Sequence, residues 1–305
     1  MKLRIFEGKD VRCLWLGCLR GAKVSVELRT VLEWEGYAPL WQAYTAVSGL
    51  NWRELMLSGI AAGMEGRAEW LYLSVCRPYL EPLCAWNVPA ASGETGRFLG
   101  KLLQASVMRL SDCLARVAMR DRGDKLLGSS HAFPIENEAF LGLERVARAG
   151  WLRVIPAFAN GVDTGVETVA EHSVKTAFLA GLLDPDSFGW TFLMGLVHDQ
   201  AELVIGDLTP EQVNNRAHKN DMECRAYEEM LEHSGLERNV IARLRQAFFE
   251  CMEDKTRSAR CVHIADKLDM AMQAMLYERQ AGICLEEFLV SSENVFRNYM
   301  LNDAI

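Results

Sequence analysis

The stretch LMGLVHDQAELVIGDLTP, residues 193–210, sets His198, Asp199, Glu202 and Asp207 in a run that is otherwise mostly apolar. Carrying that many ionisable groups into an apolar interior is costly unless something pairs or neutralises them. A fold for this chain must therefore bring compensating groups to this run from elsewhere in the sequence.

From about residue 135 onward the apolar residues recur at helical spacing. ETVAEHSVKTAFLAGLL (167–183) and SFGWTFLMGLVHDQAELVIG (187–206) predict buried or amphipathic helices, with Asp186 or Ser187 as an N-cap between them. MECRAYEEMLEHSG (222–235) predicts a helix closed by Gly235. NVIARLRQAFFECMED and SARCVHIADKLDMAMQAMLYERQ predict two more. In the last, Ile264, Leu268, Met272 and Met275 form an apolar stripe, and Asp266 lies off it. Short connections suit antiparallel neighbours, so residues 135–305 read as an all-α helical bundle.

The first 130 residues differ in texture. Six of the eight tryptophans lie before residue 90. LRIF, VRCLWLG and AKVSVELRTVLEW carry strand-like β-branched and apolar runs, with EGKD and LRGA as turns. NVPAASGETG (87–96) reads as a loop. RFLGKLLQASVMRLSDCLARVAM (97–119) follows as a helix with Leu99, Leu102, Leu103, Leu110, Leu114 and Val117 near one face. RDRGDKLLGSSHAFP (120–134) has the charge, glycine and proline of a linker. The expected fold class is thus mainly α: an N-terminal strand-then-helix α+β region over 1–130, then the helical domain over 135–305.

Composition narrows the function. The 305 residues are 50% apolar and 24% charged, as in ordinary folded proteins. A net charge of −8 argues against nucleic acid as a partner, which would call for a basic surface. The charged start MKLRIFEGKD is unlike a signal peptide. No apolar run reaches the ~18–20 residues of a membrane span. Nine cysteines, odd in number and without a CxxC pair, suit reduced thiols. These features lead to the expectation of a cytoplasmic protein without a membrane anchor.

Four metal-ligand side chains lie on separate predicted helices: His172, the pair His198 and Asp199, and Asp266. Neutral imidazoles and ionised carboxylates are usual donors to a divalent ion, and a cation is what the buried carboxylates lack. Glu202, four residues beyond His198, faces the same space on a helix, where a carboxylate beside activated water can carry protons.

These segments resemble the HD-domain phosphohydrolases, and most nearly their 5′-deoxynucleotidase branch. The resemblance is carried by LERVARAGW (143–151), ETVAEHS (167–173), LVHDQAELVIGDLTP (196–210), HKNDMECRA (218–226) and IADKLDMAMQAMLYE (264–278), in family order. It covers about 135–300 and does not extend to residues 1–130. It implies one divalent transition ion (cobalt, manganese, iron, nickel or zinc) held by His172, His198, Asp199 and Asp266. It implies Glu202 and Asp207 as catalytic carboxylates, with Asp207 also touching the sugar. It implies Arg148 at the phosphate, Trp151 beside the sugar and Lys219 as a further substrate contact. The reaction implied is removal of phosphate from a (deoxy)nucleoside 5′-monophosphate, in a homodimer. Two departures stand out: LRVIPAFANGVDTGV (152–166) is longer than in the relatives, and Val166 stands where they carry proline.

Other readings of the same residues differ in class. An HD hydrolase could act on a nucleoside triphosphate, an alarmone or a cyclic nucleotide. A two-metal oxygenase is a remoter enzyme, and a nucleotide-sensing HD protein would not catalyse at all. His131, His218, His233 and His263 read as surface or satisfied histidines, and Asp269 as a solvated or N–H-bonded carboxylate ahead of a neighbour of the ligand shell. The N-terminal tryptophans read as packing residues of a cap, a partner module or an oligomerisation module.

Overall fold

The computed structural model describes residues 27–64, 68–121, 138–155, 165–209, 212–213 and 215–301. Fourteen α-helices are seen among them. In chain order they are α1 (Glu27–Glu33), α2 (Ala38–Val47), α3 (Trp52–Met64), α4 (Ala68–Leu80), α5 (Glu94–Asp121), α6 (Glu138–Leu141) and α7 (Ala149–Val154). There follow α8 (Val169–Leu183), α9 (Phe188–Val197), α10 (Glu202–Ile205), α11 (Arg216–Glu232), α12 (Arg238–Glu253), α13 (Arg257–Ala281) and α14 (Glu286–Leu301).

The described residues contain no strand beyond one antiparallel bridge between Ala147 and Thr168. The mainly α class holds, but the expected strand-then-helix order of the N-terminal region is corrected where it can be seen. LRIF, VRCLWLG and residues 22–26 lie outside the described residues. From Glu27 the supposed strand AKVSVELRTVLEW is helix α1. Leu28, Val31 and Leu32 fall at i, i+3 and i+4 and are all buried, so helical burial of one face outweighs the β-branched composition. The segment 122–134 of the expected linker also lies outside the described residues, while residues 120–121 end α5.

At the centre, α8 packs against α9 and α13, and α13 against α14. α8 starts sharply because Thr168 and Glu171 form a capping box, each side chain bonding the other's backbone N–H. Its close pass along α9 depends on Gly195, where a Cβ would lie 2.5 Å from the Cα of Ala177. Thr256 caps α13 by accepting from the Ala259 N–H, and Gly282 ends it at φ 65°.

Helices α1–α5 lie on the same core. Tyr72 of α4 stacks on Phe192 of α9 with centroids 4.7 Å apart. The Trp52 indole N–H donates to the Leu196 carbonyl at 2.9 Å. Ser106 of α5 donates to the Leu183 carbonyl at 3.2 Å. Arg29 forks onto both oxygens of Glu278 at 2.6 and 2.9 Å. Leu99, Leu102, Leu103, Leu110 and Leu114 are buried, as the periodicity of α5 predicts. Trp41 and Trp86 likewise donate to backbone carbonyls, of Leu32 and Gly36, and so serve packing.

The α8–α9 contact gives the first prediction. Gly195→Ala gains about 1 kcal/mol of helix propensity, yet overpacking against Ala177 should lower stability by a net ~1–3 kcal/mol. Urea unfolding followed by circular dichroism reads this, and an unchanged or higher midpoint would contradict the close packing.

Candidate metal centre

The run 193–210 does not form one continuous helix. α9 stops at Val197, and the next hydrogen bonds run i→i−3: Gln200 N–H to Val197 at 3.0 Å, Glu202 N–H to Asp199 at 3.0 Å and Leu203 N–H to Gln200 at 3.2 Å. This tightening ends at Gly206, whose φ of 76° turns the chain toward Asp207. It brings His198 Nε2 to 3.2 Å from its neighbour Asp199. The Nδ1–H of His198 donates to the Gly195 carbonyl at 2.8 Å, which leaves Nε2 as the lone-pair nitrogen.

His172 enters from α8, one turn past the capping box. Its Nε2 lies 3.4 Å from Asp199 Oδ2 and 3.4 Å from Asp266 Oδ1, the latter carried on α13. Three of the four predicted ligands converge, with one nitrogen or oxygen of each of His172, His198 and Asp199 within 4.8 Å of the others, and Asp266 joins them through His172. Both Nε2 atoms are buried and have no hydrogen-bond partner. Two orphaned imidazole lone pairs facing two carboxylates are a donor set suited to a divalent ion.

The electrostatics agree. Burial opposes ionisation of Asp199, yet His198, His172 and Arg148 hold its pKa well below the carboxylate range. Burial likewise opposes Asp266, but Lys267, His172 and His198 keep it ionised. Burial and Arg148 lower the His172 pKa, yet the facing carboxylates of Asp199, Asp266 and Asp269 outweigh them and raise it well above 6.5.

Behind the ligands lies a buried polar network. The Nδ1–H of His172 donates to Asp269 Oδ2 at 2.6 Å. Asp269 is fully buried and orients His172, as carboxylates commonly do behind metal-bound histidines, so of its two sequence readings the neighbour of the ligand shell fits and the solvated carboxylate does not. Sequence alone does not choose between them, because its partner is 97 residues away. Lys175, also buried, pairs with Glu167 and lies 3.6 Å from Asp269. Glu167, His172 and Asp269 form a second group of ligand type, but the Lys175 ammonium already supplies its positive charge.

The remaining predicted residues border the centre. Arg148 donates to Asp199 at 3.0 Å and lies 3.7 Å from Asp207. Asp207 also accepts from the Ala149 N–H at 2.7 Å. Glu202 is buried with one oxygen unpartnered and the other 3.5 Å from Lys219. Burial, Asp199 and Asp207 raise its pKa well above the usual range, against Arg148 and Lys219. Lys219 also reaches Glu223 at 3.2 Å, an acid the sequence reading did not single out. Trp151 is only 2% exposed: its N–H donates to Glu167 at 2.9 Å and its ring packs against Tyr277 and Phe288. The backbone holds Arg148 and Trp151 beside α8 through bonds from Arg148 N–H to Glu167 and Val169 N–H to Val146. His218 and His233 are exposed, and His263 meets the Cys251 carbonyl at 2.9 Å. His131 lies outside the described residues.

A metal ion bound here competes with protons for the two imidazoles. Affinity for Co²⁺ should therefore rise with pH through the histidine titration range. Calorimetry in buffers of different ionisation enthalpy should detect proton release on binding. Affinity independent of pH, with no proton released, would contradict the cage.

The HD domain family matches residues 143–300. The 5′-deoxynucleotidase HDDC2 of Danio rerio is 31% identical over 164 residues, covering 51% of this chain and 76% of the relative. The 5′-deoxynucleotidase hdd1 of Schizosaccharomyces pombe is 28% identical, covering 45% and 68%. A solved structure of a conserved hypothetical protein from Pyrococcus furiosus matches 54% of this chain and 95% of its own, at 25% identity and a TM-score of 0.41. The chain belongs to the HD-domain family, in the branch of the 5′-deoxynucleotidases.

Proposed function

We propose that the protein is a metal-dependent phosphohydrolase that removes phosphate from deoxyribonucleoside 5′-monophosphates. The observation that carries this is the convergence of two orphaned imidazole nitrogens with Asp199 and Asp266, bordered by Arg148 and Glu202. The likeness to named 5′-deoxynucleotidases supports the substrate class.

A divalent transition ion held by His172, His198, Asp199 and Asp266 would lower the pKa of water from 15.7 to about 7, supplying hydroxide near neutral pH. The residues around it have separable tasks. Arg148 offers a planar fork to two phosphate oxygens, in exchange for its present contacts with Asp199 and Asp207. Glu202 carries a proton toward the departing sugar oxygen, with Lys219 as its counter-charge. Asp207 accepts from a sugar hydroxyl, and its bond from the Ala149 N–H fixes the carboxylate. Trp151, tied to Glu167, anchors the start of α7 beside Arg148.

Purified protein loaded with Co²⁺ or Mn²⁺ should release inorganic phosphate from deoxynucleoside monophosphates in preference to di-, tri- and cyclic phosphates. Glu202→Gln should keep the metal and lose about 10²–10⁴-fold in kcat. Asp199→Ala should lose both. Bound metal without phosphate release from any nucleotide would overturn the proposal.

A further inference from the structure

The family match begins at residue 143, yet the polar network behind His172 continues into the N-terminal helices. Tyr44 of α2 is fully buried, and its hydroxyl donates to Asp269 Oδ1 at 2.8 Å. The other oxygen of the same carboxylate accepts from His172 Nδ1 at 2.6 Å. Three fully buried groups thus form one chain, from an N-terminal helix through α13 to a metal-ligand candidate on α8.

We infer that Tyr44 is a positioning residue for the metal centre, so that the N-terminal helices complete the site. The inference rests on the metal-centre reading above. A carboxylate bonded at one oxygen can swing about its Cα–Cβ and Cβ–Cγ bonds; bonded at both, it presents a fixed acceptor to the imidazole. With the phenol removed, Oδ1 keeps only Lys175, at 3.6 Å, beyond ordinary hydrogen-bond length. Lys175 cannot readily close that gap, because its ammonium is held by Glu167 and by Gln273 at 2.8 Å. It also lies over the Tyr44 ring, 5.3 Å from the centroid, which fixes that ring in turn. The ring plane of His172, and with it the direction of Nε2, therefore depends on a hydroxyl 128 positions earlier in the chain, 172 minus 44.

Tyr44→Phe removes only the hydroxyl and tests this in the full chain. Ser106→Ala, which removes another bond from the N-terminal helices to α8 at its far end, is the control. Metal-free protein is titrated with Co²⁺ against a competing chelator. The Kd of Tyr44→Phe should rise about tenfold, at the low end for groups that orient ligands, and the visible spectrum of bound cobalt should shift. Ser106→Ala should lose thermal stability and keep the wild-type Kd and spectrum. A Tyr44→Phe protein with wild-type Kd and spectrum would overturn the inference. A wild type that binds no cobalt would overturn the metal centre itself and Tyr44's role with it. The wild type gives a second reading should the variant not fold: the buried Tyr44 hydroxyl proton should appear as a slowly exchanging NMR signal that moves when Zn²⁺ is added. A signal unmoved by Zn²⁺ also overturns the inference.

Discussion

Everything in this structure is arranged around the charge balance at His172. Its ring is buried among Asp199, Asp266 and Asp269, three carboxylates in a region where an unpaired charge is costly. A protein built for stability alone would replace such a group with apolar residues at little loss. Here the apolar residues of α8, α9 and α13 instead form a dry support that holds the imidazole edges apart and open. A divalent cation would resolve the imbalance, and under the proposed function the same cation would supply the site's chemistry.

The support reaches further than the ligands. Asp269 and Gly195 hold the Nδ1 atoms of the two histidines, so both Nε2 atoms carry the free lone pair. Behind Asp269, the Lys175–Glu167 pair and Gln273 are buried as one polar group, and the Trp151 N–H and Tyr44 hydroxyl attach it to α7 and α2. Such networks are favourable only when nearly every member is satisfied. That condition couples the N-terminal helices to the centre, and the shared apolar core of Tyr72, Phe192 and Trp52 reinforces it.

Much of the centre could be read from sequence because metal ligation restricts residue type. Histidine and aspartate in apolar helical runs are anomalous, and His172, His198, Asp199 and Asp266 stood out for that reason. Helix faces such as that of α5 were legible from spacing alone. Tyr44 was not, and Asp269 only as the lesser of two alternatives, since their meaning comes from partners 225 and 97 residues away and neither residue type is unusual where it stands. The i→i−3 tightening after Val197 was also hidden, because the apolar pattern runs on through it as a helix would. The strand reading near Glu27 failed where short β-branched runs are ambiguous and only tertiary burial decides.

The central claim is that His172, His198, Asp199 and Asp266 hold one ion with no help from sulfur. Cys251 makes this a sharp question, because it is buried close enough to Asp199 and Asp266 for their charges to raise its pKa further. X-ray absorption at the zinc edge, on protein loaded with one Zn²⁺, answers it most directly. The account predicts nitrogen and oxygen scatterers at about 2.0–2.2 Å with the outer-shell pattern of two imidazoles. A sulfur scatterer at about 2.3 Å, or a spectrum with no imidazole contribution, would contradict it.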